Sequence, residues 1–166
     1  FEFDVDGIIG NLVSPELVTT AIAVKDLRDE SRPNRFDQDG IAFVDQATEV
    51  QDFTHAKDWE GVYDAELKQL LTSQIGAKEV IVFDHTVRID DPNAPRRPAR
   101  NVHNDYNQAG AEQRLVDIVG EDRAQTFHEA GYGFVNVWRP IEHEIQSSPL
   151  GFIRPSSMIA EDWMDI

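Results

Sequence analysis

The chain has 166 residues, with 31 acidic and 15 basic side chains and a formal net charge of -16, a balance that repels a nucleic-acid backbone and does not suit an anionic membrane surface. It contains no cysteine, which removes thiolate metal sites, thiol nucleophiles and disulfide frameworks together. No apolar run reaches membrane-spanning length and no basic-then-apolar leader opens the chain, so a cytoplasmic protein is expected, a single domain over residues 1–166 with its own hydrophobic core.

Residues 25–40, KDLRDESRPNRFDQDG, are charged and turn-rich and predict a loop before a short strand at 41–44. Trp59, Val62, Tyr63, Glu66, Leu67, Leu70 and Leu71 recur at helical spacing, with Thr54 or Asp58 available as a cap and Gly76 beyond the end. In VIVFDHTVRI, residues 80–89, alternate positions Ile81, Phe83, His85, Val87 and Ile89 share one face of a predicted strand. His85 on that face is expected to be a hydrogen-bonded core or pocket-wall histidine. Residues 90–100 carry Pro92, Pro95 and Pro98 and exclude a regular helix or central strand. After a turn at Ala109-Gly110, Leu115, Ile118 and Val119 predict a helix ended by Gly120, and residues 121–130 predict a second short one. The β-rich segment 132–139 then runs to Pro140.

The motif that raises a chemical question is NVHNDY, residues 101–106. In a strand, residues two apart point to one face, so His103 and Asp105 can converge on one ion while Asn104 turns away. An imidazole and a carboxylate fill two positions of a two-histidine, one-carboxylate facial site. The spacing equally describes a polar strand end, and does not decide between them. His143 is the least poor in-chain candidate for a further histidine ligand. Arg100, Arg114 and Arg139 flank the motif, and the guanidinium fork suits a planar carboxylate. Tyr106 either donates into a pocket or packs beside the strand. No GxGxxG follows a strand, no GK[ST] is present, and no GxSxG surrounds a serine.

Two longer runs, RNVHNDYNQAGAEQRL and GYGFVNVWRPIEHEIQSSPL, resemble a family of bacterial and fungal specialised-metabolite oxygenases. That family includes gibberellin desaturase-like proteins and the cephalosporin 7-alpha-hydroxylase component, and belongs to the iron(II)/2-oxoglutarate dioxygenase superfamily. The resemblance implies a mainly β fold with flanking helices, a double-stranded β-helix (jelly roll, cupin-like). It makes His103 and Asp105 the first two iron(II) ligands and matches Arg114 and Arg139 to recurrent arginines, hence to cofactor binding. Tyr106 and Trp138 match nearby motif positions and, with Arg100, are candidate substrate-binding residues. Arg154 departs from the pattern of its segment.

The implied cofactors are iron(II) and 2-oxoglutarate, and the implied partners are dioxygen and a small specialised metabolite, which is hydroxylated or desaturated. The family's second histidine and its 2-oxoglutarate arginine lie beyond the segment that here reaches Ile166. The expected fold is therefore C-terminally incomplete, lacking its final strands. The alternative is a noncatalytic small-molecule-binding or assembly protein on the same fold.

Overall fold

The computed structural model describes residues 3–4, 12–13, 16–29, 34–54 and 58–163. The chain divides into two units, Phe1–Val44 with Ile153–Ile166, and Asp45–Phe152.

In the first unit, β1 (Phe3–Asp4) pairs antiparallel with β2 (Leu12–Val13), Phe3 opposite Val13 and Asp4 opposite Leu12. A 3-10 turn spans Leu27–Asp29 and a single helical turn, α1, spans Phe36–Asp39. Residues 30–33 of the predicted loop lie outside the described residues. Helix α1 ends at Gly40, whose φ of 69° is the left-handed conformation that costs a glycine least. Asp39 is buried at 4% exposure. It accepts the Arg35 backbone N–H at 2.9 Å and lies 3.7 Å from Arg154 Nε. Arg154 also donates to Asn34 Oδ1 at 2.7 Å. The residue that departs from the family pattern thus balances a buried carboxylate, whose charge would be costly to leave alone.

The second unit is built on three helices, α2 (Glu60–Ile75), α3 (Gln108–Val119) and α4 (Glu121–Ala130). Helix α2 ends at Gly76 with φ 69°, as its sequence predicts. Its start has no side-chain cap; Thr54 instead bonds Asp52 through both its N–H and its hydroxyl. Helix α3 begins earlier than expected because Asn107 caps it, accepting the Gly110 N–H at 2.8 Å. Gly120, at φ 80°, separates α3 from α4, and the two helices pack together. Tyr63 and Leu67 of α2, Leu115 of α3 and Ala124 of α4 form the buried apolar core. Arg139 ties the polypeptide before α2 to that core, donating to the Gln46 carbonyl at 2.7 Å and to the Tyr63 hydroxyl at 3.4 Å.

The jelly-roll expectation is corrected here. Apart from the β1–β2 pair, the regular structure of the described residues is helical. Residues 41–44, 80–89 and 132–139, each read as a strand, carry no strand assignment. Alternating apolar residues favour an extended backbone, but a strand exists only when a neighbour takes up its N–H and C=O groups. Segments 80–89 and 132–139 meet instead through side chains, with the Phe83 and Phe134 rings edge to face at 5.8 Å. The resemblance to iron(II)/2-oxoglutarate oxygenases therefore does not extend to this architecture.

Candidate functional site

The HxD motif lies in the irregular connection just before α3. Its residues open a cavity of about 220 Å³ lined by His103, Asn104, Asp105, Tyr106, Ala111, Phe134 and Asn136. Ala111 comes from the first turn of α3, positioned by the Asn107 cap, while Phe134 and Asn136 come from the extended segment after α4. Asn136 Nδ2 donates to Asp105 Oδ2 at 2.8 Å across 31 residues of sequence. The other carboxylate oxygen, Oδ1, lies 3.6 Å from His103 Nε2. His103 Nδ1 is 3.0 Å from the Asn101 carbonyl. A carbonyl can only accept, so this contact places a hydrogen on Nδ1 and turns Nε2 toward Asp105. Tyr106 closes one side, its ring 4.9 Å from that of Phe134.

The structure thus brings His103, Asp105 and Tyr106 together, and adds Asn136, which the sequence reading missed. Asn136 sits in a predicted strand with no motif around it; only its reach to Asp105 distinguishes it. The remaining candidates are placed elsewhere. Arg100 donates to Asp90 at 3.2 Å. Asp90 also accepts from the Ser148 and Ser147 hydroxyls, which together with Arg100 and Arg97 hold its carboxyl below its ordinary value. Arg139 is occupied by Gln46 and Tyr63. Trp138 is 53% exposed. Arg114 packs over Phe83, its guanidinium carbon 5.1 Å from the ring centroid.

A second cavity of about 220 Å³ is lined by Glu60, Asp64, Val82, Phe83, Asp84 and His85. His85 Nε2 lies 2.7 Å from Asp64 Oδ1 and its ring meets Trp59 edge to face at 4.9 Å. His85 thus lines a cavity wall as expected, but with its consecutive neighbours Val82, Phe83 and Asp84 rather than on one face of a strand.

Among the described residues no group of three or more His, Cys, Asp or Glu side chains is arranged to hold a metal ion. His143, the in-chain candidate for the missing ligand, lies in a separate turn, where its backbone N–H donates to the Ile141 carbonyl at 2.7 Å. His103 and Asp105 are therefore neighbours 3.6 Å apart, with no third ligand beside them among the described residues to make a facial triad. The expectations of iron(II), 2-oxoglutarate, dioxygen and a hydroxylated or desaturated metabolite are corrected with it. So is the binding or assembly alternative on a jelly roll. Among the described residues no helix is long and apolar enough to cross a membrane.

Residues 12–166 match the family model described as an oxidoreductase/YMDC permease-like domain. Among similar proteins, the oxidoreductase AN1597 of Emericella nidulans is 26% identical over 158 residues, 89% of this chain and 53% of the relative. The alpha-ketoglutarate-dependent dioxygenase phiK of a fungal species is 25% identical, over 88% of this chain and 55% of its own. The oxidoreductase R2 of a Phoma species is 31% identical over 114 residues, 63% of this chain and 38% of its own. The chain spans about half the length of the first two relatives. No solved structure matches it. Because the family model covers residues 12–166, the chain belongs to the family of the oxidoreductase/YMDC permease-like domain.

Proposed function

We propose that this chain is the part of an oxidoreductase that presents His103, Asp105 and Asn136 to the reacting group, in a site that further polypeptide completes. The observation that carries the reading is the convergence of these three polar side chains on one cavity from segments far apart in sequence. Asn136 fixes one carboxylate oxygen, so the other faces His103 in a set orientation. A preset pair of this kind orients a polar group without first having to order itself. The names of the relatives share oxidation and reduction as a reaction class. The described residues of this chain do not supply the ligand set for an iron and 2-oxoglutarate version, so the proposal stops at that class. It keeps the cytoplasmic location expected from the sequence, which cell fractionation checks.

The test is electron transfer to artificial acceptor dyes by the natural polypeptide carrying these residues, incubated with a cell extract. Wild type is expected to reduce the dye, and His103→Ala or Asp105→Ala to lower the rate about tenfold or more, the scale of a lost orienting contact. Wild-type protein with no turnover, or variants as fast as wild type, would overturn the proposal.

A further inference from the structure

In so acidic a chain most arginines find an oxygen. Arg100 meets Asp90, Arg123 meets Glu79, and Arg139 meets Gln46 and Tyr63. Arg114 differs. Its Nε is shut away from solvent and has no hydrogen-bond partner, and among the described residues no carboxylate pairs with its guanidinium. A buried donor left unpaired costs free energy that an acceptor would recover. The side chain is also held in place, stacked over Phe83. Phe83 is 42% exposed and leads through Phe134 to Tyr132, with ring centroids 5.8 and 6.1 Å apart. A cation with a free planar edge therefore stands at the end of a half-exposed aromatic row.

We propose that Arg114 anchors a carboxylate-binding site, with Phe83 and Phe134 as its flat wall. The fork of a guanidinium matches the two oxygens of a carboxylate. A guanidinium with no carboxylate partner among the described residues, in a chain of net charge -16, suits a monoanion better than a doubly charged phosphate. The carboxylate has two sources, a ring-bearing organic acid that lies along the aromatic row or an acidic side chain of a polypeptide segment.

The experiment is an NMR titration of the whole protein, following the Arg114 Nε–H resonance. Sodium benzoate and a blocked aspartate are the probes, with sodium chloride at matched ionic strength as the control. Saturable shifts with a carboxylate and none with chloride are expected. They should vanish in Arg114→Gln and weaken by about fivefold or more in Arg114→Lys, which keeps the charge but not the fork. Tighter binding of benzoate assigns the organic acid, and tighter binding of blocked aspartate assigns the polypeptide segment. No saturable shift with either probe, or a folded Arg114→Lys protein that binds as tightly as wild type, overturns the site. The readout does not involve His103, so its failure leaves the oxidoreductase reading to its own assay.

Discussion

Glu66 shows how one charged side chain on α2 organises the polypeptide before it. Its carboxylate accepts from the Thr48 hydroxyl at 2.6 Å and from the Glu49 N–H at 2.7 Å. These bonds, the Thr48 hydroxyl foremost, lower its pKa from the ordinary 4.5. A carboxylate whose folded pKa is depressed contributes stability above its unfolded value and loses it as pH falls through the folded value. Thr48→Val is therefore expected to lower the urea midpoint at neutral pH, with the difference from wild type closing as acidification protonates the Glu66 carboxylate. Urea titrations of both proteins across that range check it; a difference that persists in acid would assign the effect to packing. The HxD pair belongs to the same scale. The spacing of His103 and Asp105 predicted a shared strand face with Asn104 turned away, but the segment is irregular and Asn104 lines the same cavity; Asn136 was not legible, because a side-chain amide in an alternating segment carries no local signal of a partner 31 residues away.

At the scale of elements, α2, α3 and α4 were legible, whereas the strands and the single turn α1, inside a predicted loop, were not. The apolar periodicity of α2 and α3 and their terminal glycines can be read locally, because a helix closes its hydrogen bonds within itself. Segments 80–89 and 132–139 have an alternating or β-rich composition, yet strand formation depends on a distant neighbour that no local pattern specifies. The Asn107 cap went unread because Ala109-Gly110 resembled a turn; a Cβ at Gly110 would sit 3.2 Å from Asn107 Oδ1, so the glycine serves the cap. Replacing Asn107 by alanine should cost about 1 kcal/mol, measured by chemical denaturation. Leu67, 8% exposed beside Tyr63 on α2, is expected to cost about 2 kcal/mol or more on truncation to alanine. Calorimetry would show this as a lowered Tm, and an unchanged Tm would mean that α2 does not anchor the second unit.

Across the whole molecule, sequence kinship and architecture point in different directions. The chain shares family with oxidoreductases and is similar to a protein named an alpha-ketoglutarate-dependent dioxygenase, while its described regular structure is predominantly helical. Motif resemblance reports residues that were kept in order along the chain; it does not report which backbone groups pair. The net charge of -16 adds self-repulsion, so Tm should rise as salt screens it. A scan of Tm against sodium chloride checks this, and a fall would mean that specific ion pairs outweigh net repulsion. The account rests most heavily on segments 80–89 and 132–139 packing through side chains while Asn136 reaches Asp105. The most direct measurement is a nuclear Overhauser experiment on the labelled protein. The account predicts contacts between the Phe83 and Phe134 rings and between the Asn136 amide and the 103–105 segment, without a ladder of backbone Hα–Hα contacts joining the two segments. A continuous Hα–Hα ladder between them would contradict it and restore a sheet.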